Sequence, residues 1–168
     1  TSLPNRHYFE ERISEIESSS NRKGQPFSIM FIDLNDFKQV NDNIGHDAGD
    51  FLLIQFAKLL KQSVRSSDSC CRIGGDEFVV LLPNAKGEIA EVLAERVICQ
   101  TSDPLRFAGQ EMVIKMSIGI ASSPHDGDDS EAVLKVADKR MYRAKQSGKN
   151  RLCFGEGADE MTPVGMFH

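Results

Sequence analysis

The alternation of apolar and polar residues along the chain predicts helices and strands in mixed order. Spacings of three and four between apolar residues predict amphipathic helices over residues 4–20, 47–66, 88–100 and about 133–144. Short apolar runs bounded by polar residues or glycine predict strands over residues 27–32, 72–73, 78–82, 105–107, 112–121 and 152–154. The last strand is expected at an edge of the sheet. A polar break is expected over 18–24. The helix over 88–100 is expected to be amphipathic, with Ile89, Leu93 and Val97 on its apolar face.

This order of elements favours an α+β fold, in which helices flank a central, mainly antiparallel sheet. The two halves after the first helix each resemble a βαβ unit, as in ferredoxin-like folds. Residues 1–155 are expected to form one domain of ordinary size. From Gly155 onward no periodicity is visible, so residues 156–168 are expected to be a tail or linker.

Composition and charge narrow the class of protein. Apolar residues make up 40% of the 168 residues and charged residues 27%, which is typical of a globular domain. The net charge of −5 argues against binding to a nucleic acid polymer. No apolar run approaches the roughly 20 residues of a membrane-spanning helix, so no direct membrane insertion is expected. The four cysteines have no C-x-x-C spacing, which favours a reducing cytoplasm over a disulfide scaffold or zinc site.

Two acidic clusters lie where apolar runs end or turn. Asp33 closes the run 27–32, with Asp36 after it, and Asp76-Glu77 follows Gly74-Gly75 in a hairpin turn. If the two strands are neighbours, Asp33 and Asp76 face each other and repel unless a cation separates them or one is protonated. Mg²⁺ suits such a pair, because it binds carboxylates together with substrate phosphates and supports phosphoryl or nucleotidyl transfer. On spacing alone, a surface turn with solvated acids is the alternative.

Motifs spread along the chain occur together in one register. They are Leu3-Pro4-Asn5-Arg6, Phe31 to Lys38, Asn41 to Asp50, Arg72-Ile73-Gly74-Gly75-Asp76-Glu77-Phe78, Ser117 to Ala121, and Ala137 to Lys145. Together they resemble the GGDEF family, the diguanylate cyclases, over about residues 3 to 154. The resemblance implies a fold like the palm of nucleotide cyclases and polymerases. It also implies that two GTP molecules are joined into cyclic di-GMP, with release of two pyrophosphates.

The same resemblance implies a metal site for Mg²⁺, or for Mn²⁺ in its place, held by Asp33, Asp76 and the backbone carbonyl of Leu34. One ion would bind the triphosphate, and a second would lower the pKa of the attacking 3′-hydroxyl. Asp76 is also implied as the proton acceptor. Glu77 is implied as a supporting carboxylate, and Lys38 as a group that stabilises charge in the transition state.

Recognition of guanine is assigned by the resemblance to Asn41 and Asp50, with His46 as a weaker member of the base pocket. A carboxylate accepts from both N–H donors of guanine, and adenine lacks that pair of donors. Without the resemblance, Asn41 is interpreted as a turn or cap residue and Asp50 as an acid in the first turn of a helix. His46 is then equally well a buried or capping histidine.

The triphosphate requires positive charge, which the region around the last helix supplies. The resemblance implies that Lys145 and Lys149 bind the β- and γ-phosphates, although a solvated helix face is the alternative for basic residues there. Backbone amides at a helix start are implied to hold phosphate oxygens. These amides are those of Asp36, Phe37 and Lys38. Gly75 has no side chain, so a substrate can approach the backbone of the turn closely.

A second nucleotide site is predicted at Arg65-Ser66-Ser67-Asp68, which has the R-x-x-D form. In the GGDEF family this motif is the inhibitory site for the product. Arg65 would pair with a phosphate or a guanine edge, and Asp68 with guanine donors. The R-x-x-D pattern occurs often by chance. Product binding is favoured because this copy lies in the same register as the other GGDEF motifs of the chain.

The sequence therefore predicts a magnesium-dependent diguanylate cyclase that acts as a homodimer, with one GTP in each half of the site and with product inhibition. A non-catalytic receptor for GTP or cyclic di-GMP, regulating a partner, is the alternative. A plain dimerisation domain leaves the site residues unexplained. The expected location is the cytoplasm, either as a free protein or as the cytoplasmic part of a larger, membrane-attached one.

Overall fold

The computed structural model describes residues 3–148, 151–154 and 161–163. The helices are α1 (Arg6–Lys23), α2 (Phe37–Asn43), α3 (His46–Ser63), α4 (Gly87–Gln100) and α5 (Ser130–Gln146). The strands are β1 (Phe27–Asn35), β2 (Ser69–Arg72), β3 (Glu77–Pro83), β4 (Leu105–Phe107), β5 (Gln110–Met112), β6 (Lys115–Ser123), β7 (Arg151–Cys153) and β8 (Met161–Pro163). This mixed order confirms the predicted α+β class.

The centre of the domain is a six-stranded sheet in the order β2-β3-β1-β6-β7-β8, and β4 and β5 form a separate hairpin. β1 lies between β3 and β6 and pairs antiparallel with both. β7 pairs parallel with β6. The sheet is therefore mainly antiparallel, as predicted. Its topology brings the C-terminal end of β1 beside the turn that joins β2 to β3.

Side chains of β1 alternate between two cores, one on each face of the sheet. Ile29 and Phe31 pack in the core that includes residues of α1 and α5. Met30 and Ile32 pack in the core that includes residues of α3 and α4. Because helices cover both faces, every residue of β1 is buried, which explains its nearly unbroken apolar run. Asp33 follows Ile29 and Phe31 in this alternation. Its side chain therefore lies on the face of the sheet that α5 covers.

Gly119 of β6 sets how closely α5 approaches the sheet. A Cβ at this position would lie 2.1 Å from the carbonyl oxygen of Ala137 and 2.2 Å from the backbone nitrogen of Met141. Only a residue without a side chain fits against the helix backbone at this distance. This close contact fixes the position of α5 along the sheet, and so the position of its last turn relative to the end of β1.

Some details of the sequence interpretation are wrong. α1 continues through the expected polar break and ends at Lys23, where Gly24 adopts a left-handed conformation and terminates the helix. Ile89 is 46% exposed, because the buried stripe of α4 runs through Gly87 and Ala90 on either side of it. The apolar stretch 112–121 is divided between β5 and β6 rather than forming one strand.

The strand predicted over 152–154 forms as β7, but it is not an edge strand. β8 pairs antiparallel with its outer side. β8 falls within the segment expected to be a tail or linker, and the domain boundary after residue 155 stays a prediction. Among the described helices, none combines the length and apolar character needed to cross a membrane.

Candidate active site

Asp33 and Asp76 are brought together by the pairing of β1 with β3. Asp33 lies opposite Glu77 in the ladder. The backbone N–H of Leu34 donates to the carbonyl of Asp76 across 3.0 Å. Asp33 is only 4% exposed, and Asp76 is half-buried in the turn between β2 and β3. The expectation that these strands are neighbours is confirmed, and both carboxylates lie at one end of the sheet.

The acidic residues at this end of the sheet disfavour one another's charged forms. Burial raises the pKa of Asp76, and the negative charge of Asp33 raises it further. Burial also raises the pKa of Glu77, with further contributions from Asp33, Asp76 and Asp138. Negative charges that are close together and only partly hydrated favour a proton or a cation between them. The arrangement is therefore a site that attracts cations.

Lys145 supplies one cation to this cluster. Its Nζ donates to Oδ2 of Asp33 across 2.6 Å. The hydrogen bond to Asp33 raises the pKa of Lys145, and the charges of Asp76 and Glu77 add to the effect. Lys145 belongs to the last turn of α5, the helix that packs on Gly119. The ammonium group predicted to bind phosphates thus contacts a predicted metal ligand.

The residues of the site fit a magnesium ion. Oδ1 of Asp33 is buried and accepts no hydrogen bond among the residues that the structure describes, so this oxygen is available to a ligand. Within the same described ranges, no three His, Cys, Asp or Glu side chains converge as a complete metal cluster. Two carboxylates and a backbone carbonyl, completed by substrate phosphates, form the type of ligand set that Mg²⁺ uses. Asp33, Asp76 and the carbonyl of Leu34 are the protein groups suited to it.

Arg72 holds the diglycine turn between β2 and β3 in shape. Its guanidinium donates to the carbonyls of Gly74, across 3.1 Å, and of Gly75, across 2.7 Å. The N–H of Ile73 donates to the carbonyl of Glu77 across 3.0 Å and closes the turn. Gly75 is exposed, and a Cβ there would meet nothing within 4 Å. The role of Arg72 could not be predicted from the sequence, since it depends on the shape of the turn.

The N-terminal motif docks on the same hairpin. The N–H of Arg72 donates to the carbonyl of Pro4 across 3.0 Å, and Nη2 of Arg6 lies 3.5 Å from the carbonyl of Ile73. The side chain of Asn5 caps the start of α1. A motif more than sixty residues earlier in the chain therefore supports the turn that carries Asp76.

Asn41 lies on α2, which packs against the start of α3. A Cβ at Gly49 would lie 1.8 Å from Oδ1 of Asn41, so the missing side chain allows Asn41 to reach α3. Asp50 follows Gly49 in the chain and is exposed, and so is His46, the first residue of α3. The structure thus brings Asn41 beside the helical turn that carries Asp50 and His46. The need for glycine at position 49 was missed by sequence reasoning, because it depends on the packing of two helices.

The chain turns sharply between β1 and α2. Asp36 has a φ of 62°, in the left-handed region, and its carbonyl accepts from the N–H of Val40 across 3.1 Å. Phe37 packs partly buried against the core, whereas Lys38 is exposed. The start of α2 therefore lies directly after the strand that carries Asp33. Lys149 lies outside the described residues, and its role stays a prediction.

Arg65 and Asp68 bind each other across the turn between α3 and β2. Asp68, whose side chain is 1% exposed, accepts from Nη2 of Arg65 across 2.7 Å and from its backbone N–H across 2.9 Å. Both residues line a cavity of about 340 Å³ that also contains Val92 and Arg96. The carboxylate of Asp68 thus stabilises its own turn. The guanidinium of Arg65, which belongs to a side chain 45% exposed, is the more accessible of the two groups.

Comparison with known protein families gives a match over most of the chain. The family model "Diguanylate cyclase, GGDEF domain" matches residues 1–151. The chain is 39% identical over 158 residues to the bifunctional diguanylate cyclase/cyclic di-GMP phosphodiesterase MucR of Pseudomonas aeruginosa, covering 94% of this chain and 23% of that protein. It is 40% identical over 153 residues to the response regulator PleD of Caulobacter vibrioides, covering 89% of this chain and 34% of that protein.

Solved structures that resemble this chain are domains of the same kind. The GGDEF domain of TpbB, also called YfiN, from Pseudomonas aeruginosa matches with a TM-score of 0.88 and 38% identity, over 93% of this chain and 98% of that one. The active GGEEF domain of a diguanylate cyclase from Vibrio cholerae matches with a TM-score of 0.86 and 32% identity, over 94% of this chain and all of that one (100%).

Fold and sequence together define the class of protein, a GGDEF domain built on a mainly antiparallel sheet. The chain belongs to the GGDEF family. It spans about a quarter to a third of the length of the curated relatives described above, at 23% and 34%.

Proposed function

We propose that this domain condenses two GTP molecules into cyclic di-GMP, with release of two pyrophosphates. The observation that carries the proposal is the convergence of Asp33 and Asp76 at the end of β1, with a buried carboxylate oxygen that has no partner among the described residues. In the reaction, the 3′-hydroxyl oxygen of each GTP attacks the α-phosphorus of the other. Each attack forms one P–O bond and breaks the bond to pyrophosphate.

Asp33, Asp76 and the carbonyl of Leu34 hold Mg²⁺, or Mn²⁺ in its place, in this proposal. The bound metal supplies charge neutralisation at the triphosphate and lowers the pKa of the attacking hydroxyl. Asp76 accepts the proton of that hydroxyl, a role supported by its raised pKa and its position in an accessible turn. Glu77 keeps the local potential negative beside it, and Lys38 stabilises charge that develops on the transferred phosphate.

Guanine is recognised by Asn41 and Asp50, with His46 lining the base. The exposed carboxylate of Asp50 can accept from both the N1–H and N2–H donors of guanine. Adenine has no such pair of donors, so an adenine base would leave the carboxylate without its partners, a loss that discriminates strongly between substrates. Support comes from the packing of α2 on Gly49, which holds Asn41 against the turn that carries Asp50.

The polyphosphate is held between the end of α5 and the start of α2. Lys145 and Lys149 bind the β- and γ-phosphates. The backbone amides at the start of α2 donate to phosphate oxygens. These amides belong to Asp36, Phe37 and Lys38. Gly75, which is exposed and has open space about its Cα, lets the nucleotide approach the backbone of the turn.

Catalysis requires two copies of the chain, because each copy holds one GTP and each GTP attacks the other. The catalytic unit in this proposal is a homodimer that forms around the two substrates. We expect the isolated domain to be monomeric in dilute solution. The rate should therefore rise faster than linearly with protein concentration, and strict proportionality from low concentration would contradict this expectation.

Product inhibition is proposed at the cavity lined by Arg65 and Asp68. The guanidinium of Arg65 binds a phosphate or guanine edge of cyclic di-GMP, and Arg96 adds a second guanidinium to the same cavity. Asp68 can receive guanine donors only by giving up part of its bond to Arg65.

We place the reaction in the cytoplasm, where GTP is available.

The test is the incubation of the purified chain with GTP, with and without Mg²⁺, followed by identification of the nucleotide products. The proposal predicts cyclic di-GMP and pyrophosphate in a ratio of one to two, only with metal. Tight binding of GTP or cyclic di-GMP without turnover would instead favour the second candidate function, a nucleotide receptor that regulates a partner.

A further inference from the structure

We propose that Lys145 is also the resident counterion of Asp33, and that its transfer from Asp33 to the phosphates of the nucleotide makes metal and nucleotide bind cooperatively. This inference rests on the proposed function, since it concerns the same metal and the same substrate. It assigns to Lys145 a role in the nucleotide-free protein, in addition to phosphate binding.

The geometry of the pair carries the inference. Nζ of Lys145 lies 2.6 Å from Oδ2 of Asp33, a distance typical of a strong, charge-assisted hydrogen bond. The Asp33 side chain is only 6% exposed, whereas that of Lys145 is 48% exposed. The carboxylate is therefore fixed in the sheet, and the ammonium reaches it from the surface on a flexible stem.

An ammonium and a divalent ion compete for this carboxylate. A metal bound to Asp33 would lie close to the charge of Lys145, and two cations at that separation repel strongly in a partly buried site. Metal alone would therefore bind at Oδ1 of Asp33 against this repulsion, or release Lys145 into solvent and lose the ion pair. Displacement without a replacement partner weakens metal binding in the absence of nucleotide.

The nucleotide removes this competition. Its phosphates offer the ammonium a new anionic partner, so that Lys145 can leave Asp33 without losing its charge pairing. Asp33 then exchanges one cation for another and is never left as a buried, unpaired charge, which would be costly. By thermodynamic reciprocity, nucleotide strengthens metal binding by the same factor as metal strengthens nucleotide binding.

The test measures binding of Mn²⁺ alone, without nucleotide, by electron paramagnetic resonance. Lys145→Met removes the charge and keeps the length of the side chain. Lys145→Gln keeps an N–H donor toward Asp33 and guards against misfolding of the first variant. The matched control is Lys135→Met, which makes the same charge change on the same helix at an exposed residue paired with Glu131.

The expected result is that both Lys145 variants bind Mn²⁺ roughly tenfold more tightly than the wild type, a change within the usual range of coupling between sites. Lys135→Met should leave the affinity unchanged. The same Lys145 variants should bind a non-hydrolysable GTP analogue more weakly. Unchanged or weaker Mn²⁺ binding in both Lys145 variants, or an equal gain in Lys135→Met, would overturn the inference.

Failure of this inference is distinguishable from failure of the proposed function. Normal turnover of GTP by the wild type, with no gain in Mn²⁺ affinity in the variants, refutes the counterion role and leaves the cyclase proposal intact. Absence of turnover in the wild type, with tighter Mn²⁺ binding in the variants, refutes the cyclase proposal and supports the counterion role.

Discussion

The backbone N–H of Leu34 donates to the carbonyl of Asp76 across 3.0 Å. This hydrogen bond extends the pairing of β1 and β3 by one residue into the diglycine turn, and so it joins the two segments that carry the acidic residues. The separation of Asp33 from Asp76 is therefore fixed by backbone pairing rather than by the rotamers of exposed side chains. Preorganisation of this kind is what a metal-dependent site requires.

The substitution Asp76→Asn should remove nearly all activity and stabilise the domain. Loss of the proposed metal ligand and proton acceptor is expected to lower turnover by roughly 10²–10⁴-fold. Removal of a partly buried carboxylate that lies beside Asp33 should raise the free energy of unfolding without metal. The gain should be only about 0.5–1 kcal/mol, because solvent screens the charge of this partly exposed group. Urea denaturation and GTP turnover on the same sample check both effects, and a destabilised variant would contradict the electrostatic argument.

The stability difference between Asp76→Asn and the wild type should depend on pH with a defined sign. The folded-state pKa of Asp76 is raised above its ordinary value of 3.8. The folded protein then binds this proton more tightly than the unfolded chain does, and the wild type loses stability as the pH rises through the window from 3.8 up to the folded-state pKa. The advantage of Asp76→Asn should therefore be larger at pH 7.5 than at pH 4. An advantage that shrinks with rising pH would show that the pKa is not raised.

The substitution Gly49→Ala should impair recognition of guanine. The new Cβ would lie 1.8 Å from Oδ1 of Asn41, so Asn41 must move away from α3. We expect a weaker affinity for GTP and a smaller preference for GTP over ATP, measured by competition binding. The double variant Asn41→Ala/Gly49→Ala provides the control. It should recover the stability lost by Gly49→Ala but not the preference for guanine, and recovery of that preference would contradict the account.

Substitution by alanine should affect stability very differently at two glycines of the family motifs. Gly119→Ala places a Cβ about 2 Å from the backbone of α5, which cannot shift locally, and we expect a loss of about 3 kcal/mol or more of stability. Gly75→Ala meets open space and should leave stability within about 0.5 kcal/mol of the wild type. It should weaken GTP binding if, as proposed, the nucleotide approaches the backbone of this turn. Thermal denaturation of both variants tests the predicted difference in stability, and equal melting temperatures would refute it.

The substitution Arg65→Ala should reduce both stability and product binding. It leaves the carboxylate of Asp68, whose side chain is 1% exposed, without its guanidinium partner. We expect a loss of about 1–3 kcal/mol of stability, the range for hydrogen bonds to a charged group, because only the backbone N–H of residue 65 still donates to this carboxylate. Arg96→Ala, at the same cavity, serves as the comparison. It should weaken binding of cyclic di-GMP with a smaller effect on stability, and undiminished product affinity in both variants would exclude this cavity as the inhibitory site.

Much of the fold could be predicted from the sequence, because helices and strands leave regular apolar patterns. The run 27–32 predicted a strand, and β1 forms there with a core on each side. The apolar pattern of α4 wrongly placed Ile89 on the buried face of the helix. Two alanines form part of that face, and alanine gives only a weak apolar signal in a sequence. The pairing of β8 with β7 joins two three-residue strands, which are too short to leave a period.

The candidate site could be predicted only as far as its residue types. The acids at 33 and 76 indicated a cation site through their place beside apolar strands. The contact of Lys145 with Asp33, and those of Arg72 with the carbonyls of the diglycine turn, join residues through the fold or through the shape of a turn. Interactions of this kind depend on tertiary geometry, which no local pattern of residues encodes.

The most direct test of the central claim is the turnover of GTP in the presence of Mg²⁺ by Asp33→Asn, by Asp76→Asn and by the double variant. As a control, Asp128→Asn removes an exposed acid from the loop after β6, at the far end of the sheet. If Asp33 and Asp76 form one metal-dependent site, each single variant should lose nearly all synthesis of cyclic di-GMP. The double variant should then be little worse than either, and the control should match the wild type. Synthesis at the wild-type rate by Asp33→Asn or Asp76→Asn would contradict the account.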